Sequence, residues 1–81
     1  MVKITKTQIA LGRAVRKLRE QAGLSQEKFA IRAHLNRSYI GDVERGARNV
    51  SLATMERLAN ALGKRISDLV REMERDAGGG R

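Results

Sequence analysis

The sequence predicts an all-α fold of five short helices in one domain. Apolar residues recur at helical spacing along the chain, there is no Pro, and no stretch alternates apolar with polar residues as a half-buried strand would. Helix punctuation agrees: Thr, Ser or Asn precedes the first four apolar runs, and Gly follows three of them. The 81 residues leave room for one modest core.

The first helix carries Leu11, Val15, Leu18 and Ala22 on one face. Thr5 or Thr7 starts it, with Gln8 placed to close a capping box on Thr5, and Gly23 stops it. Ser25 caps a second helix, with Glu27 in its first turn and Phe29, Ala30 and Ala33 facing inward. His34 and Leu35 then lead to Asn36, which caps a third helix over about 37–45 with Ile40 and Val43 inward; Gly46 closes it. After a basic polar loop, Ala47 to Val50, Ser51 caps a fourth helix carrying Leu52, Met55, Leu58, Ala59 and Leu62, ended by Gly63. A fifth helix is expected from about Ile66 to Arg75, with Ile66, Leu69, Val70 and Met73 in one stripe. The domain is taken as 1–76, and 77–81 as a flexible Gly-rich tail.

Composition narrows the function. Without Cys there is neither a disulfide framework nor a thiolate site, and the single His, His34, has no companions for a metal site. No cofactor and no enzymatic role are expected: Asp42 and Glu44, two apart on a helix, point in different directions. No apolar run approaches a membrane span and the N-terminus leads into no long apolar stretch, so no membrane association and a cytoplasmic location are expected. The net charge of +8 is uneven: residues 1–50 hold 11 Lys and Arg against 4 Asp and Glu. A basic half of this kind suits a polyanion. With Phe29 and Tyr39 as the sole aromatics, no base-stacking platform can be built, so duplex DNA is a better target than single strands or RNA.

Two short helices joined by a few residues, the second polar on its outer face, make the helix-turn-helix arrangement, expected over about 25–46. The second helix of such a unit points its N-terminal residues at base edges in the major groove. Here those are Asn36, Arg37, Ser38 and Tyr39, followed by Gly41, Asp42 and Arg45. Arg37 suits guanine, Ser38 suits several edges, and Asp42 either accepts from a cytosine amine or repels phosphate. Tyr39 either stacks, or packs its ring and offers its hydroxyl to a phosphate; Arg45 is assigned to phosphate.

The chain resembles the phage-repressor/Cro-like helix-turn-helix family, often called XRE. The resemblance rests on Arg16, Leu18 and Arg19, on Gly23–Leu24–Ser25–Gln26, Phe29–Ala30, Ile40 and Glu44–Arg45–Gly46, and then on Leu52, Leu58–Ala59, Ala61–Leu62–Gly63 and Leu69. Asn36–Arg37–Ser38–Tyr39–Ile40 with Glu44 to Asn49 looks closest to controller proteins of restriction–modification systems. The resemblance implies a compact five-helix, lambda-repressor-like DNA-binding domain and a regulator of transcription. It implies base reading by Asn36, Arg37, Ser38 and Asp42, phosphate contacts from Gln26, Arg48 and Asn49, and an ion pair of Arg19 with Glu44. Two positions depart from the family's pattern. His34 stands where Gly is common, and Arg65 stands where Ser or Thr often caps the fifth helix.

The stripe Ile66, Leu69, Val70, Met73 has two readings: it closes the monomer core, or part of it faces a second copy, as a palindromic operator would require. The expected partners are double-stranded DNA and a second copy. RNA polymerase is a further partner reading, as is a toxin protein neutralised by an antitoxin-type module that represses its own promoter.

Overall fold

The structure, a computed structural model, describes residues 4–79, with side chains through residue 75. In chain order the helices are α1 (Lys6–Gln21), α2 (Gln26–Ala33), α3 (Arg37–Glu44), α4 (Leu52–Ala61) and α5 (Ile66–Gly79).

Local chemistry sets where each helix begins. At α1 the Thr5 hydroxyl accepts from the Gln8 amide N–H at 3.1 Å while Gln8 Oε1 accepts from the Thr5 N–H at 3.2 Å, a complete capping box. Ser25, Asn36 and Ser51 cap α2, α3 and α4 by accepting the N–H three residues on, at 3.1, 2.8 and 3.1 Å. Arg65 has no oxygen for that task. Asp68 Oδ2 instead reaches back to accept from the Arg65 N–H at 2.9 Å, half of a capping box.

The helix ends follow one pattern. After α1, α3 and α4 a Gly takes a left-handed conformation (Gly23, φ 72°; Gly46, φ 78°; Gly63, φ 70°), and after α2 His34 does so at φ 59°. In each case the following residue bonds back into the last turn, as Leu24 N–H to Arg19 C=O at 3.1 Å and Leu35 N–H to Ala30 C=O at 2.9 Å. His34 therefore bears a strain that Gly avoids at the equivalent exits.

The largest fully buried side chains are Phe29, Ile40, Leu58, Leu69, Val15 and Val43, drawn from all five helices. α1 lies against both α3 and α5, and α2 against α3 and α4. Glu72, also buried, ties α5 to α1 by accepting from Lys17 Nζ at 2.8 Å, and accepts from Arg75 Nη1 at 3.0 Å.

Several expectations are corrected. Ala22, expected on the inner face of α1, is its exposed C-cap, and Leu24 enters the core from the turn instead. Leu52 is 72% exposed because it lies in the first turn of α4, ahead of the part that meets the core. Gly41, expected on the outer face of α3, is buried. Leu69 is 0% exposed and belongs to the monomer core, so it is no surface for a second copy, whereas Val70 is exposed and Ile66 and Met73 are half-buried. α5 continues to Gly79, past the end expected near Arg75. No Pro interrupts it, and Gly weakens a helix by only about 1 kcal/mol relative to Ala. Gly80 and Arg81 lie outside the described residues.

Candidate nucleic-acid interface

The surface that matters is built around α3, and its placement begins at Gly12. A Cβ on Gly12 would lie 2.4 Å from the Val43 carbonyl oxygen and 2.7 Å from that of Glu44. α1 and the end of α3 therefore touch backbone to backbone, which only Gly permits. Gln8 extends this seam, donating from Nε2 to the Gly46 carbonyl at 3.5 Å.

Arg19 and Glu44 lock the same junction. Arg19 Nε donates to Glu44 Oε2 at 2.6 Å and Nη2 to Oε1 at 3.2 Å, while Nη1 donates to the Leu24 carbonyl at 2.7 Å. Both side chains are largely buried. Hydrogen bonding to Glu44 holds the Arg19 guanidinium above its ordinary pKa; burial opposes this, and the charges of Glu44 and Glu20 add to it. Gln26, expected at a phosphate, here donates from Nε2 to Glu44 Oε1 at 2.9 Å, so one carboxylate joins α1, α2 and α3.

The turn between α2 and α3 has a second fastening. Arg57, on α4, donates from Nε to the Ala33 carbonyl at 3.2 Å and from Nη2 to the His34 carbonyl. It satisfies two carbonyls at the end of α2 and places a cation where the helix dipole is negative. Sequence reasoning missed it because its partners lie far along the chain. Gly12 did leave a signal: Gly inside a helical run has a cost that calls for a reason.

The first turn of α3 is different in kind. Arg37 and Ser38 are exposed and make no side-chain hydrogen bond or ion pair among the described residues. Asn36 is exposed too, but its Oδ1 is committed to the Tyr39 N–H, leaving its amide group to donate. One turn on, Asp42 holds two arginines. It accepts from Arg45 Nη2 on Oδ1, and from Arg48 on Oδ2, with Nε and Nη2 each at 3.2 Å. Arg48 also lies 5.0 Å from the centre of the Tyr39 ring, and that ring packs partly against the core. Asn49 is exposed beside it in the loop.

Among the described residues no three of His, Cys, Asp and Glu gather as metal ligands, and no helix is long and apolar enough to cross a membrane. What the geometry offers is a protruding helix start with uncommitted polar side chains, flanked by arginines and held rigidly from behind. That is the working surface of a helix-turn-helix DNA-binding protein.

The helix-turn-helix domain family matches residues 10–72, and the chain belongs to it. Control protein C.BamHI of Bacillus amyloliquefaciens is 44% identical over 63 residues, covering 76% of this chain and 78% of that protein. Control protein C.MunI of Mycoplasma sp is 41% identical over 69 residues, covering 84% of this chain and 93% of its relative. Among solved structures, the restriction–modification controller protein C.AhdI from Aeromonas hydrophila superposes with a TM-score of 0.74 at 47% identity, covering 76% of this chain and 94% of that one. The fold is lambda-repressor-like, and the chain is a DNA-binding regulator of transcription akin to the controller proteins.

Proposed function

We propose that the chain reads a palindromic operator as a homodimer and serves a restriction–modification system as its controller. The observation that carries the reading is the free first turn of α3: Arg37 and Ser38 are exposed, uncommitted and next to a cationic loop. Arg37 meets a guanine edge with two hydrogen bonds, Ser38 supplements it, and Asn36 donates from its amide. Arg45, Arg48, Asn49 and the Tyr39 hydroxyl grip phosphates and set the register, with the N-terminus of α2 and Gln26 lying along the backbone. The control-protein relatives support the assignment to a restriction–modification pair.

One α3 reads only a few base pairs. A two-fold dimer doubles the site and spaces its halves roughly 34 Å apart. Exposed Val70, with Ile66 and Met73 beside it, supplies the apolar surface for that seam. Selection from a random duplex pool at fixed salt tests the reading. A palindrome with half-sites one helical turn apart is expected, and Arg37→Ala costs about 1–3 kcal/mol on that site while relaxing one position. Recovery of no preferred sequence overturns the operator reading.

A further inference from the structure

We propose that Asp42 is a positioning residue for two phosphate-gripping arginines, not a reader of bases, and that its charge restrains binding to unspecific DNA. The inference rests on α3 being the DNA-facing helix.

Tyr39, Asp42 and Arg45 are spaced by threes along α3 and share one stripe of its surface. Both Asp42 oxygens are occupied, Oδ1 by Arg45 and Oδ2 by Arg48. The Tyr39 ring holds the Arg48 guanidinium from a second side, at 5.0 Å. Exposure shows which groups face outward: the Arg45 and Arg48 side chains are 69% and 51% exposed, the Asp42 side chain only 28%. The carboxylate therefore sits behind the guanidiniums it holds. A cytosine amine would have to reach it past the two guanidiniums, which are more exposed than the carboxylate they cover.

Exposed ion pairs add little to stability, so the consequence is positional and electrostatic. Three groups carry a combined charge of +1. Without the carboxylate they carry +2, and the arginines, no longer held in one arrangement, gain a phosphate contact on unspecific DNA. One extra phosphate contact steepens the dependence of log affinity on log salt by about 0.9, which strengthens unspecific binding roughly five-fold near physiological salt. The carboxylate thus favours discrimination by keeping the arginines in one arrangement and by weakening attachment elsewhere.

The test compares the full chain with Asp42→Asn, and with Asp42→Ala as a second variant. Affinity for a selected site and for random duplex is measured across a salt series, and the base preference is measured at every position. Both variants are expected to bind random duplex several-fold more tightly, with a steeper salt slope and a lower ratio of specific to random binding. Preference at each base pair is expected to persist. In an Arg45→Gln/Arg48→Gln background, read at low salt where weakened binding remains measurable, Asp42→Asn is expected to leave the preference at every base pair unchanged. A changed preference at one base pair that survives in that background overturns the inference and makes Asp42 a base reader. An unchanged slope and unchanged random affinity overturn it as well. Failure of the unmodified chain to bind any duplex removes the operator reading and this inference together, whereas a position-specific effect removes this inference alone.

Discussion

The guanidinium of Arg19 closes on both oxygens of Glu44, at 2.6 and 3.2 Å, with 11% and 5% of the two side chains exposed. A pair so placed fixes the angle between α1 and α3 more than it raises stability, because desolvation offsets most of its attraction. Removing one partner strands the other charge. Arg19→Met or Glu44→Leu alone is expected to cost about 3 kcal/mol in urea unfolding, and the double variant to recover most of that loss. Additive losses in the double variant would show that the pair does not act as a unit.

Gly12 and Gly23 make a matched comparison. Gly12→Ala drives a methyl into the carbonyls of Val43 and Glu44 and displaces α3, so about 1–3 kcal/mol of stability is expected to be lost together with operator binding. Gly23→Ala meets nothing within 4 Å and bears only left-handed strain, about 1–2 kcal/mol, with binding retained once the protein is folded. Thermal unfolding beside DNA titration separates the two.

His34 holds its left-handed conformation with help from Arg57. His34→Gly relieves the strain and is expected to stabilise by about 0.5 kcal/mol, while His34→Val loses about 1–2 kcal/mol. Arg57→Ala frees two carbonyls at the turn and is expected to cost about 1 kcal/mol. It should also speed hydrogen exchange at the Leu35 amide more than at the Leu58 amide. Equal acceleration at both would deny the turn any local fastening.

Leu69 and Val70 are neighbours in sequence with opposite fates. Leu69→Glu buries an unpaired carboxylate in the core and is expected to prevent folding. Val70→Glu is expected to leave a folded chain whose mass by light scattering is that of a monomer and whose operator binding is weaker. An unchanged dimer mass would move the seam away from this part of α5.

Helix starts were legible because capping is chemistry between near neighbours: Thr5 with Gln8, Ser25, Asn36 and Ser51 all act where the sequence places them. Family resemblance marked His34 as a position where Gly is common, and it also pointed to the Arg19–Glu44 pair. Contacts that join distant segments left no local trace. Arg57 reaches the turn between α2 and α3, and Asp42 answers to Arg48 in the loop that follows its own helix. The α5 stripe was also too broad to divide by periodicity, since residues at i, i+3, i+4 and i+7 include both the centre of a buried face and its margin. Packing placed Leu69 at the centre and Val70 at the margin.

Arg37 and Ser38 stand in the fold without supporting it: each is exposed, and no other described residue holds its side chain. Exchanges at such surface positions usually alter stability by less than about 0.5 kcal/mol. The cap at Asn36 and the inward pair Ile40 and Val43 keep α3 in place whatever occupies the two sites between them. On the operator reading proposed above, a lineage carrying this domain redirects it to a new operator by changing two codons. Duplicated copies would then drift apart in target while keeping the same stability and the same architecture.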